Sequence, residues 1–140
     1  MRTRTSAQEP PAQSSTFEEE ITPERLRAFR TAIGLTAGSH EVPPTYLTRF
    51  RQGEFELLER LGVPLQNVLH AEQDYQYFAP LRPGMKILYE TVLANSFEKK
   101  GRAGSLHFLV TETRVRWAGS ADPQPLVVCK TTIVAKGKTP

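Results

Sequence analysis

The stretch Gly34-Leu-Thr-Ala-Gly-Ser-His40-Glu-Val-Pro-Pro-Thr-Tyr46 places one histidine in a glycine-flanked loop between two helix-like segments. With an unperturbed pKa of about 6.5, an imidazole there suits a general base, and a surface loop histidine is the alternative. A second group, His70 and Gln73, lies in a segment of alternating character, where an ideal strand would point the two to opposite faces; they would shape a channel or form a satisfied polar pair. Glu54, Glu56 and Glu59 crowd one helical stretch among arginines, a pattern that more often makes a solvated face. Lys99, Lys100 and Arg102 flank glycines, so these cations could approach phosphate oxygens closely or simply keep a turn soluble. Glu18-Glu19-Glu20 is a polar strand rather than a carboxylate pair, because adjacent strand residues point opposite ways. No Cys/His spacing suggests zinc, no glycine-rich loop follows a strand, and no Ser-His-Asp order can be assigned. Neither a metal nor a nucleotide cofactor is expected.

The elements that must position these groups fit a single domain of 140 residues, a length that buries roughly two thirds of its unfolded surface. Residues 1–15 are polar and proline-containing, which predicts a disordered tail; residues 16–136 form the domain and residues 137–140 a flexible C-terminus. The net charge of +3 with scattered basic residues gives no stripe for nucleic acid. No apolar run approaches the ~20 residues that span a bilayer, so no membrane association is expected and the protein is placed in the cytoplasm. The single cysteine, Cys129, lies in an apolar run and is expected to be a small buried thiol.

Phe17 to Ile21 predicts a short strand, and Thr22-Pro23 supplies a cap and a first-turn proline for a helix carrying Leu26, Phe29 and Ile33, with Gly34 as its stop. Tyr46, Leu47, Phe50, Leu57, Leu58 and Leu61 mark a longer second helical region that Gly53 breaks or bends. The period then changes to that of strands: Val68 to Phe78, Met85 to Phe97, Leu106 to Trp117 and Leu126 to Val134. Their connections are too short for crossover helices, so the sheet is expected to be antiparallel and to wrap the long helix.

A long helix wrapped by an antiparallel sheet is the hot-dog architecture. Val42-Pro-Pro-Thr-Tyr46, Val68-Leu-His-Ala-Glu-Gln73, Tyr77-Phe-Ala-Pro-Leu-Arg-Pro-Gly84 and Phe97-Glu-Lys-Lys-Gly-Arg-Ala-Gly104, in that order, resemble the MaoC-like dehydratases, and most of all their fatty-acid-synthase-like dehydratase domain. The resemblance implies an α+β hot-dog fold with a five-stranded antiparallel sheet around a long central helix. It implies hydration of trans-2-enoyl thioesters, or dehydration of (R)-3-hydroxyacyl thioesters, carried on coenzyme A or acyl carrier protein. Catalytic relatives carry Gly-Asp-x-Asn-Pro-x-His after the first helix, an aspartate and histidine that together activate water and move the proton alpha to the thioester carbonyl. Here Gly34 and His40 match, but Leu35, Ala37 and Gly38 stand at the aspartate, asparagine and proline positions.

A leucine accepts no proton. The expectation is therefore an accessory subunit that binds acyl chain beside a catalytic MaoC-like partner, as heterodimer or heterotetramer, with Pro44, Thr45, His70, Gln73, Lys99, Lys100 and Arg102 as substrate-binding candidates and His40 as the weak catalytic one. The alternatives are a homodimeric acyl-CoA binding protein without turnover, and a self-sufficient hydratase or thioesterase built on His40 or on a helix glutamate, the carboxylate that hot-dog thioesterases often use.

Overall fold

The computed structural model of the chain describes residues 12–35 and 41–136. The first strand, β1, is Phe17–Glu20. It leads into helix α1, Pro23–Ala32, where the Thr22 side chain accepts a hydrogen bond from the Arg25 N–H at 3.2 Å. Helix α1 stops as expected at Gly34, whose φ of +81° is open to glycine at no steric cost.

The expected long helix is divided. Pro44–Arg49 forms a 3-10 segment, Phe50 leaves helical geometry, and helix α2 runs only from Gln52 to Arg60. The break falls before Gly53 instead of at it. Phe50 is almost fully buried, with its ring 5.8 Å from that of Tyr46 and 5.3 Å from that of Tyr89. Burying this aromatic group and then laying α2 on the sheet requires the chain to change direction between the two. Gly53, the second residue of α2, is set by contact: a methyl group on it would come within 2.6 Å of Thr91 Oγ1 and 2.8 Å of Ser14 Oγ.

The remaining strands are β2 (Val68–Tyr77), β3 (Lys86–Gly101), β4 (Gly104–Trp117) and β5 (Val127–Lys136). All pair antiparallel, in the spatial order β1-β3-β4-β5-β2. Strands consecutive in sequence are therefore not always neighbours: β2 and β3 lie three places apart. The connection between them is fastened along the sheet end, with the Phe78 and Ala79 N–H groups on Leu126 O and the Gly84 N–H on Ile21 O. One face of the five-stranded sheet is covered by α2, which is the hot-dog arrangement.

Residues 12–15, expected within the tail, belong to the sheet. Gln13 bridges Val92, Ser14 N–H donates to Thr91 O at 2.8 Å, and Thr91 N–H donates back to Ser14 Oγ at 2.9 Å. This segment extends the β1 edge along β3 because β1 itself stops opposite Lys86 at one end and Tyr89 at the other.

The core has two apolar parts. Ile21, Leu26, Tyr46, Phe50, Ile87 and Tyr89 are among the residues filling the end near α1. Leu58, Val63, Leu109, Ile133 and Ala135 fill the end near the C-terminus of α2. Besides these and the fully buried Leu57, the interior holds polar side chains: Glu54 of α2 and Thr91, Thr111, Thr113 and Thr131 of the sheet.

The contact at Gly53 makes a direct prediction. Gly53→Ala should destabilise the fold by about 1–3 kcal/mol, the range for forcing extra atoms into a packed core, despite alanine's better helix propensity. Urea unfolding of the two proteins measures this; equal midpoints would mean that the helix is free to shift away from Thr91.

Candidate functional site

The edge strand β2 carries the site. Its register against β5 slips between His70 and Glu72, so Ala71 is left over as a bulge. One extra residue inverts the alternation that follows. His70 and Gln73, expected on opposite faces, consequently lie on the same inward face, opposite Ile133 and Thr131. Gln73 Nε2 donates to Lys130 O at 3.3 Å, which leaves Gln73 Oε1 to accept from Thr131 Oγ1 at 2.9 Å and to face His70 Nε2 at 3.0 Å. That ring nitrogen therefore carries the proton. Tyr75 and Tyr77 follow on the same face, opposite Cys129 and Val127.

Two hollows lie side by side along this face. The first, of about 240 Å³, is bounded by His70, Gln73 and Tyr75 from β2, by Thr113, Cys129 and Thr131 from the neighbouring strands, and by Leu47, Thr48, Phe50, Arg51 and Glu54 from the helical layer. The second, of about 590 Å³, lies between Glu41, Val42 and Pro44 on one side and Tyr77 and the Pro80–Pro83 turn on the other. The Tyr77 hydroxyl donates to Pro44 O at 2.5 Å, and burial pushes its pKa upward. This bond ties the start of the 3-10 segment to the strand edge. Thr45 follows in the same segment, its carbonyl accepting from Thr48 Oγ1 at 2.8 Å.

The three helix glutamates separate. Glu56 accepts from Ser15 Oγ at 2.8 Å and from Ser15 N–H at 3.1 Å and pairs with Arg60, and the Ser15 donors hold its carboxyl below the ordinary range. Glu59 is exposed. Glu54, expected on a solvated face with the other two, is instead 3% exposed; Oε2 accepts from Arg51 Nε at 2.9 Å, and Oε1 has no hydrogen-bond partner. The signal for this lay in the spacing: Glu54 precedes Leu57, Leu58 and Leu61 by three, four and seven residues, which puts it on the apolar face.

The hairpin cations do not join this site. Lys99 sits over the stacked rings of Phe97 and Phe108, 5.7 and 5.3 Å from their centroids. Lys100 alternates to the other face, and Arg102 lies in the turn, beside a hollow of about 420 Å³ that also includes Lys136. His40, like Ala37 and Gly38, lies outside the described residues. Among the described residues, no group of three or more His, Cys, Asp or Glu is arranged to hold a metal. None of the described helices is long and apolar enough to cross a membrane.

Residues 11–121 match the family described as the FAS1-like, dehydratase domain region. The chain belongs to this family. The comparison with curated proteins gives no match. Among solved structures, a HadBC (3R-hydroxyacyl-ACP dehydratase) complex chain from Mycobacterium tuberculosis is similar at a TM-score of 0.67 and 14% identity, over 90% of this chain and 98% of that one. The ChsH1-ChsH2 complex from the same organism gives a TM-score of 0.65 at 13% identity, over 90% of this chain and 86% of that one. A MaoC-like dehydratase from Rhodospirillum rubrum gives 0.59 at 11% identity, over 91% and 92%. At such identities these likenesses establish the hot-dog fold of this dehydratase-family chain.

Burial pushes the Cys129 thiol up to about 12 from an ordinary value of 9.0, and the Tyr89 hydroxyl up to about 12 from 10.0. In the unfolded chain both groups lose their protons earlier. The stability they contribute is complete below about pH 9 and declines as pH rises towards 12. Cys129→Ala should show a shallower loss of stability across that interval, followed by urea titration at successive pH values. A parallel decline in both proteins would contradict the thiol's share.

Proposed function

We propose that this chain is an accessory subunit of a MaoC-like, (R)-specific enoyl-thioester hydratase or 3-hydroxyacyl-thioester dehydratase. It pairs through its β2 edge with a catalytic hot-dog homologue and helps hold the acyl chain. One observation carries the reading: the position matching the family's catalytic aspartate is Leu35, a side chain that neither accepts a proton nor orders water. The surroundings of β2 support it. This ten-residue strand ends the sheet, with Leu69 54% and Phe78 46% exposed near its two ends, and a long unpaired edge favours pairing with another strand. The hollows on its inner face adjoin that edge, so a second hot-dog protomer would complete their walls. The two most similar structures described above are both complexes by name.

The substrate in this reading is an acyl thioester of coenzyme A or of acyl carrier protein, handled in the cytoplasm without a resident cofactor. The Asp and His of the partner activate water and move the alpha proton, while this chain supplies tunnel wall. Glu54 favours a second reading, a self-sufficient hydratase or thioesterase, because it alone of the helix glutamates is buried beside a hollow.

Hydration of crotonyl-CoA and of longer trans-2-enoyl-CoA thioesters separates these readings. The chain is assayed alone and mixed with a co-encoded MaoC-like protein bearing an intact Asp/His loop. Activity confined to the mixture and indifferent to His40→Ala is the expected result. Turnover by the lone chain that His40→Ala abolishes would overturn it, and turnover or thioester cleavage by the lone chain that Glu54→Gln abolishes would establish the second reading.

A further inference from the structure

We infer that the smaller hollow is a subsite for the distal end of an acyl chain bearing a hydrogen-bond donor, a hydroxyl group, with Glu54 as the residue that recognises it. The inference rests on the proposed acyl-binding role and names its substrate class.

Burial orders the hollow from mouth to floor. His70 and Thr48 are exposed at the mouth, Gln73 and Tyr75 are half-buried, and Glu54, Thr131 and Cys129 are buried at the floor. A chain entering past His70 reaches Glu54 with its far end. Of the polar groups on the way, Gln73 Oε1 accepts from Thr131, Gln73 Nε2 donates to Lys130 O, and His70 is turned to Gln73. Glu54 Oε2 is held by Arg51 Nε. What remains at the floor is Glu54 Oε1, a buried acceptor with no partner.

An acceptor left unmatched in a buried site is costly, and the ligand chemistry that relieves it is an O–H or N–H donor. The volume of about 240 Å³ lies below the usual 300–1,000 Å³ of whole-ligand sites, so it fits one end of a substrate and not a complete thioester. Leu47, Phe50 and Tyr75 supply apolar wall for the methylenes that precede the donor.

The test uses the chain mixed with its catalytic hot-dog partner and compares kcat/KM for trans-2-octenoyl-CoA with that for 8-hydroxy-trans-2-octenoyl-CoA, extended to the decenoyl pair. A preference of about tenfold for a hydroxylated chain is expected, the order conferred by one hydrogen bond to a buried acceptor otherwise left unpaired. Glu54→Leu should abolish the preference and Glu54→Gln reduce it. Equal ratios in the three proteins for both pairs would overturn the inference. Thermal melts report whether the variants fold; removing a buried carboxyl with one unpaired oxygen should raise the melting midpoint with Leu, and the Gln variant decides the matter if the Leu protein fails to fold. Should no mixture turn over any enoyl-CoA, the subunit reading fails on its own. Calorimetric binding of octanoyl-CoA and 8-hydroxyoctanoyl-CoA to the chain alone then decides: tighter binding of the hydroxylated ligand, lost in Glu54→Leu, supports the subsite, and equal binding refutes it.

Discussion

Helix α2 rests on the sheet at a distance that only a missing side chain allows, and the arrangement of the site follows from that contact. Gly53 leaves no room for a methyl group against Thr91 and Ser14. With the helix held so close, the residues that follow it on the same face, Glu54, Leu57 and Leu58, are all buried. The contact also fixes rotation: turning α2 to relieve it would lift Leu58 from Leu109 and Ile133 in the second core cluster. Ser14 takes part because the segment before β1 runs beside β3 at this point, and Ser15 then reaches Glu56 on the outer side of the same helix. One close approach thus holds α2 between the N-terminal segment and the sheet.

The same geometry explains why the middle of the core is polar. Thr111, Thr131 and Gln73 lie in register across β4, β5 and β2, and Thr91 and Thr113 join their hydroxyls at 2.7 Å beside them. Threonine suits such a row, since its branched side chain fits a pleated surface while its hydroxyl finds a cross-strand partner. Two members lack partners, Thr111 Oγ1 and Glu54 Oε1. The helix covers β3 and β4 more closely than β2, so the row begins in packed core and ends at the groove beside the free edge. The bulge at Ala71 completes this by turning His70 inward to meet Gln73.

Much of the architecture was legible because it rests on local signals. The Thr22-Pro23 start and Gly34 stop of α1 are backbone rules, and the change to alternating hydrophobicity after Val68 marks the strands. What escaped depends on partners distant in sequence. The split between Pro44–Arg49 and α2 reflects the burial of Phe50 against Tyr89 across the fold, which no helical periodicity encodes. The bulge is invisible to alternation, which has no term for a residue left over. The pairing of Ala12–Ser14 with β3 comes from main-chain hydrogen bonds, to which a polar, proline-containing composition is blind. Glu54 was hidden by its neighbours: three glutamates suggested one solvated face, while the leucine spacing placed one of them inside.

A chain proposed as an accessory subunit is easily taken for a spacer, yet its interior argues for a more active part. A pure scaffold gains from leucine or methionine at position 54, because an apolar group of similar volume would pack the hollow and remove an unpaired carboxyl oxygen. The Arg51 contact does not offset this, since it satisfies only Oε2 and its guanidinium is partly in water. The cost also falls where it is least accidental, at the floor of a hollow adjoining the strand edge where a second hot-dog protomer would pair. Stability given up at the floor of a hollow is the usual mark of a site that contacts a ligand. Leucine at position 35 and a buried carboxyl at position 54 are therefore consistent with the proposed division of labour, in which a partner carries out the reaction and this chain selects which acyl group is presented to it.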